Sequence, residues 1–386
     1  MVHEQRRQRR LNRTLEYLEE HRNDMLEDLQ RFVEMETPST NKRLLDAFAE
    51  FLPDYAGSAT GGRAEILPTE GSGNNVRVRW GREDGERAIL LLGHHDTVWS
   101  EGTVEEMPFG VADGVATGPG VFDMKCGLVQ GFWAVRALRE VAGVNRPVTF
   151  LCNSDEEIGS PNSRALIEEE ARRAHTVLVL EPSLDGALKT ARKGVGRFRI
   201  RVAGRPSHAG LDPEGGISAV EEMARLILEL HGHTNFETGT TINVGVVKGG
   251  TRYNVVAAEA SAEVDVRAVT LTEVERMEEV ISTLKPHHLE ARVSVEGGQI
   301  WPPMERTERT QELFEHARWL AEELGFDLQE GLAGGASDGC LCAAVGAPTL
   351  DGLGAVGGGA HAADERVDVE SIPLRAALVA RLIETL

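Results

Sequence analysis

Residues 88–98 read AILLLGHHDTV. Ala88 to Leu92 are apolar without alternation, the pattern of a strand covered on both faces, and His94 and Asp96 come directly where that strand ends. Strands of this kind belong to α/β sheets, which bind ligands beyond their carboxyl ends. The same stretch therefore points to a fold class and to the place where chemistry belongs.

The pattern repeats outward. Val148–Cys152 and Thr176–Leu180 are further strand-like runs, Leu128–Val141 and Ser163–Ala174 carry helical periodicity, and Val76–Trp80 alternates. Upstream, Leu11 to about Leu52 reads as two helices broken at Thr37-Pro38-Ser39-Thr40. Strand and helix in alternation predict an α/β, doubly wound domain. At Gly194 the pattern changes. Val195–Val202 alternates, Ile217–Leu230 is an amphipathic helix, Thr241–Val247 and Ala258–Val269 are alternating strands, Leu271–Leu284 is a helix and Ala291–Val295 a strand. That order is β-α-β-β-α-β with a half-exposed sheet. After Trp301-Pro302-Pro303 the first pattern resumes, with a helix at Thr310–Leu324, a strand at Pro348–Leu350 and a closing helix from Ile372. The expected organisation is one domain built from 1–193 and 300–386, with a second domain, 194–299, inserted.

The length of 386 residues suits two domains, and 41% hydrophobic content is that of a globular chain. A net charge of -21 repels phosphate backbones and anionic lipid surfaces, which argues against nucleic-acid or membrane partners. No apolar run approaches a membrane span, and the Arg-rich start MVHEQRRQRRLNRT lacks the apolar stretch of a secretory signal, so a cytoplasmic location is expected. Cys126, Cys152, Cys340 and Cys342 form no CxxC pair and read as reduced thiols.

Acidic and imidazole groups gather at the strand ends: His94 and Asp96, then Asp155-Glu156-Glu157, then Glu181. Asp123 closes the loop Gly118-Pro119-Gly120-Val121-Phe122, and His361 ends a glycine-rich loop. Any one of these alone would be a hydrogen-bonded turn or a solvated helix start. Together, carboxylates without cationic neighbours would repel, and a bound cation is the ordinary way to hold them. Nitrogen and oxygen donors without thiolates suit zinc, with manganese or cobalt as alternatives. Asp96, two residues beyond His94, is placed to accept that ring's second N–H. Neighbours Glu156 and Glu157, on an extended segment, would point apart, so that only one aims at metal. A nucleotide-binding reading fails because no GxGxxG or GxxxxGK[ST] comes after a strand.

The segments LGHHDTV (92–98), GPG through DMK (118–125), DEEIGS (155–160), Glu181-Pro182, SHAG (207–210) and GGASD (334–338) resemble, in order, the signatures of the di-zinc amidohydrolase and carboxypeptidase family. That family includes glutamate carboxypeptidase, acetylornithine deacetylase, succinyl-diaminopimelate desuccinylase and aminoacylase, and the likeness is nearest the first. The resemblance implies a di-metal hydrolase domain with a ferredoxin-like lid and dimerisation domain inserted. It implies two Zn2+ per subunit, one on His94 and Glu181, the other on Glu157 and His361, with Asp123 bridging and the Asp123-Met124 peptide bond cis. Glu156 would be the general base, Asp96 a catalytic-site group acting through the ring of His94, and His208 an oxyanion donor to the partner subunit of a homodimer. Asn254 and Arg267 would bind substrate, Arg267 through a carboxylate. The implied activity is cleavage of an amide in a small molecule or short peptide to release an amino acid. N-acyl-amino-acid deacylation is the alternative. An aminopeptidase, or a binding relative without catalysis, are more distant readings.

Overall fold

The computed structural model describes residues 13–81 and 85–386, so most of the Arg-rich start lies outside the described residues. Its central feature is a six-stranded sheet. Along the chain its strands are β1 (Arg63–Leu67), β2 (Asn75–Trp80), β3 (Ile89–His94), β4 (Val148–Asn153), β5 (Thr176–Val179) and β6 (Thr349–Leu350). They lie in the order β1-β2-β4-β3-β5-β6. Strands β4, β3, β5 and β6 run parallel, whereas β1 and β2 pair antiparallel at one edge. The sheet is thus mixed, and the sequence marks the difference. Every residue of β3, β4 and β5 is buried, while β2 alternates in burial at its far end and β1, missed in the sequence reading, is exposed or half-buried throughout.

The helices Arg22–Glu34, Lys42–Thr60, Cys126–Val141, Glu308–Leu324 and Ser371–Thr385 share one apolar cluster with the sheet strands. Close approach of Cys126–Val141 depends on Gly127, where a Cβ would stand 2.1 Å from the carbonyl oxygen of Leu180. The parallel strands end level: His94 pairs in register with Asn153, and Leu92 with Val179. The segments leaving β3, β4 and β5 therefore emerge along one edge.

Two compact units share the chain. The first takes the described residues up to Thr190 with Arg306–Ala333 and Ser337–Leu386; the second takes Ala191–Glu305 and Gly334–Ala336. The second unit runs in the order strand Gly194–Ala203, helix Ala219–His231, strands Thr241–Gly249 and Glu259–Ala268, helix Leu271–Ser282, strand Arg292–Trp301. Its last strand runs well past Val295, where apolar alternation stops, because Gly297 takes a φ of 113° and lies where a Cβ would meet the carbonyl oxygen of Arg197 at 2.1 Å. All neighbouring strands of this sheet are antiparallel, and its inward side chains (Phe198, Ile200, Val202, Val264, Val266) pack with Met223, Leu226, Met277 and Ile281 of the two helices. The other face carries cross-strand ion pairs, Arg199 with Glu263 at 2.8 Å and Arg201 with Glu296 at 2.6 Å. Among the described residues no helix is long and apolar enough to cross a membrane, and the four cysteines are buried and unbridged.

Candidate metal centre

His94, the last residue of β3, is buried. Its Nδ1–H donates to the backbone oxygen of Asp96 at 3.0 Å, which leaves Nε2 as the free nitrogen. That Nε2 stands 3.2 Å from Asp123 Oδ1 and 3.4 Å from Glu181 Oε1. The other oxygen of Asp123 lies 3.5 Å from Nε2 of His361, which also approaches Glu157 Oε2 at 3.2 Å. One carboxylate thus spans two imidazoles, each with a second carboxylate beside it. The Asp123-Met124 peptide bond is cis, and His361 takes a left-handed φ of 62°.

The Asp96 carboxylate does something other than orient His94 alone. Its Oδ1 is 3.4 Å from His94 Nδ1, more distant than the backbone oxygen. It accepts instead from Ser39 Oγ at 2.8 Å and from the backbone N–H groups of Glu156 and Glu157 at 3.2 Å each. Those two glutamates form a 3-10 turn, Glu156–Ile158, and not the extended segment read from sequence. Successive side chains on such a turn diverge by about 120° instead of pointing oppositely, so both reach the cluster. His94, Asp123 and Glu157 offer ligand atoms within 4.8 Å of one another, and so do His94, Glu156 and Glu181.

Charge defines the cluster. Among the described residues no lysine or arginine pairs with Asp123, Glu156 or Glu157. Desolvation, and after it the Glu181 carboxylate, push Glu156 well above the usual carboxyl range, and desolvation also raises Glu157. Against the cost of burial, the His361 and His94 rings hold Asp123 low. The Asp123 and Glu157 carboxylates raise His361 to about 10, and His94 is raised by Asp123 and Asp96 although burial opposes it. The site thus favours positive charge at two places, around His94 and around His361. Buried Glu157 Oε1 has no hydrogen-bond partner, which fits an oxygen meant for a cation. Two divalent ions fit this donor set.

The remaining groups sort themselves by contact. His95 turns away and stacks on Phe48, with ring centroids 5.4 Å apart, and burial presses its pKa down to about 3. Asp155 accepts from Asn162 N–H at 2.7 Å and from the Ser163 hydroxyl, bracing the turn. Sequence reading missed Ser39, which lies in the break between the first helices, and gave no role to Asp338. Buried Asp338, raised to about 7 by desolvation, accepts from Ser160 Oγ at 2.5 Å and so holds the end of the 155–160 segment. In the second unit His208 and Asn254 are exposed. Nδ1 of His208 accepts from the backbone N–H groups of Gly210 and Leu211 at 3.2 and 3.1 Å, so the neutral ring carries its proton on Nε2. Arg267 uses Nε and one terminal nitrogen on the Asp265 carboxylate, at 2.8 and 3.1 Å.

Histidine and carboxylate donors at the carboxyl edge of an α/β sheet are a metal centre of the kind that metal-dependent hydrolases use. The model of peptidase family M20/M25/M40 matches residues 90–385, and the chain belongs to that family. Carboxypeptidase G2 of Pseudomonas sp. (strain RS-16) is 33% identical over 309 residues, 78% of this chain and 74% of that protein. Acetylornithine deacetylase of Pasteurella multocida is 28% identical over 242 residues, 59% of this chain and 61% of that one. Among solved structures, aminopeptidase PepT from Bacillus cereus superposes with a TM-score of 0.78 at 22% identity, covering 94% of this chain and 98% of that one. The protein is an enzyme of the metallopeptidase and amidohydrolase kind.

Metal should bind in competition with protons. Two divalent ions per chain are expected, with proton release on binding and affinity that falls as pH is lowered below about 10, the value His361 holds without metal. Titration calorimetry in buffers of different ionisation enthalpy reads both. One ion or none at saturation, or binding without proton release, would overturn the two-cation reading.

Proposed function

We propose that the protein is a di-zinc hydrolase that cleaves an amide bond to release an amino acid bearing a free α-carboxylate, in the manner of a glutamate carboxypeptidase. The observation that carries this reading is Asp123 placed with one oxygen toward His94 and the other toward His361. His94, Glu181 and Asp123 would hold one ion, and His361, Glu157 and Asp123 the other. Manganese or cobalt could occupy the same donors. When bound, such a pair polarises the scissile carbonyl and lowers the pKa of water toward neutrality. Glu156, with its raised carboxyl pKa, takes the proton from the attacking water and passes it to the leaving amine. Asp96 holds the turn that presents Glu156, and His208, protonated on Nε2, donates to the developing oxyanion.

N-acyl-amino-acid deacylation is the second reading, favoured by the likeness to acetylornithine deacetylase. Both chemistries leave a free amino acid and need the same centre. Reduced thiols fit a cytoplasmic setting.

The second unit would be the ferredoxin-like lid and dimerisation domain. Two ion pairs, Arg199 with Glu263 and Arg201 with Glu296, already occupy much of its charged sheet face, so the association surface is better sought at the exposed edge strand Thr241–Gly249. If His208 acts across a homodimer, mixing inactive His208→Ala and Glu156→Gln subunits should restore part of the activity. Full subunit exchange without recovery would remove the trans role.

Replacing Glu156 by Gln should lower kcat about 10²-fold or more with both ions retained, whereas Glu157→Ala should lose metal as well. Near-normal turnover in the first variant would exclude Glu156 as base. Arg267 and Asn254 are proposed to anchor the substrate carboxylate and acyl group. Because Asp265 already occupies the guanidinium fork, the substrate carboxylate must compete with it or use the remaining nitrogen, which reaches the backbone oxygen of Gly334 at 3.5 Å. Amidating that carboxylate, or changing Arg267 to Ala, should cut kcat/KM about ten- to a hundredfold. Equal cleavage of acid and amide forms would transfer the argument to aminopeptidase chemistry.

A further inference from the structure

Glu365 is 1% exposed, and both oxygens of its carboxylate are used. Oε1 accepts from the backbone N–H groups of Phe122 at 2.9 Å and Asp123 at 3.0 Å. Oε2 accepts from the backbone N–H of Gly120 at 2.9 Å and from the indole N–H of Trp99 at 2.8 Å. These four donors share one property: each belongs to a segment that delivers a residue to the metal centre. Gly120, Phe122 and Asp123 form the loop that presents the spanning carboxylate. Trp99 lies on the stretch that leaves β3 through His94 and Asp96.

Glu365 itself belongs to the His361 segment. The turn from Gly359 to Glu365 is closed by Ala362 N–H to Gly359 O at 2.9 Å and by Glu365 N–H to Ala362 O at 3.0 Å. Immediately beyond it, Arg366–Asp368 pairs on one side with Gly357–Gly358 and on the other with Val115–Thr117, which leads into the Asp123 loop. One carboxylate therefore stands where three ligand-bearing segments meet, two of them more than two hundred residues away in sequence.

We propose that Glu365 is a positioning residue that sets the separation of the two metal positions, by clamping the Asp123 loop and the exit of β3 to the turn that carries His361. It touches neither metal donor atoms nor substrate, and acts through the backbone at Asp123. The proposal rests on the two-metal reading above. A residue buried only for stability would behave differently, because its removal would lower the unfolding midpoint and leave the ligand geometry of the folded protein unchanged.

Glu365→Gln keeps the volume but turns an NH2 group toward N–H donors that then lack an acceptor. The test is titration of the full chain with Co2+ alone, read by the visible absorption of the bound ion, with unfolding monitored in parallel. Wild type should take two Co2+. Glu365→Gln should bind at least one of them about ten- to a hundredfold more weakly and with an altered band shape. Trp99→Phe removes one donor of the four and keeps the carboxylate; it should move the spectrum the same way by less, and it carries the test if the Gln variant fails to fold. Wild-type affinity and spectrum in every variant that folds, even with a lowered unfolding midpoint, would overturn the proposal. Fewer than two Co2+ on the wild type would instead overturn the two-metal reading.

Discussion

Four carboxylates and two imidazoles share one small volume, and the rest of the first unit is arranged to tolerate that. Burial, and after it the neighbouring Glu181 carboxylate, raise Glu156, and burial raises Glu157, so carboxylates this close need a counter-charge. The histidines supply part of the counter-charge, and divalent cations would supply more. Holding like charges this close also demands rigid support, because each ligand sits on a different segment. The support comes from neighbouring hydrogen bonds: Asp96 beneath the Glu156–Ile158 turn, Asp338 at the end of that segment through Ser160, and Glu365 beneath the Asp123 loop.

Legibility in the sequence divides along physical lines. Strands buried on both faces announce themselves as unbroken apolar runs, so β3, β4 and β5 could be placed nearly to the residue, and with them the polar groups just past their ends. The edge was harder. Arg63–Leu67 is half solvated and carries Arg63 and Glu65 as well as apolar residues, so neither period nor hydrophobicity sets it apart. The ligand candidates were visible because four of the six ordered motifs carry His94, Asp123, Glu157 and Glu181, and His361 ends a glycine-rich loop. Their supports were not, because a buried acid such as Glu365 acquires meaning only from donors elsewhere in the chain, at Trp99 and Gly120.

In the second unit the pattern fixes which face is buried but leaves open what the other face does. Alternation along Val195–Val202 correctly indicates one buried and one open face, and an open face suggests a surface awaiting a partner. Yet the outward residues are Arg197, Arg199 and Arg201, and two of the three, Arg199 and Arg201, are matched by Glu263 and Glu296 on the flanking strands. Each exposed pair is worth little, at most about 1 kcal/mol, but a face of matched charges gains nothing from being covered and would have to be desolvated first. Association at an edge strand avoids that cost by pairing backbone groups that already lack partners.

Arg267 meets a similar constraint. A guanidinium fork already engaged by Asp265 is not a preformed carboxylate receptor, because binding an anion there means displacing an acid of equal charge. Were a substrate carboxylate bound there, that exchange would weaken the net gain from it and improve selectivity. A neutral amide could not displace Asp265, whereas a carboxylate can match its charge and geometry. Asp265 would then act as a stand-in that keeps the guanidinium oriented until an anionic substrate replaces it, so that Asp265→Asn strengthens binding of free-acid substrates while narrowing their advantage over amides. Unchanged KM values for both forms in that variant would show that Arg267 serves the sheet of its own unit and leaves the anchoring to another group.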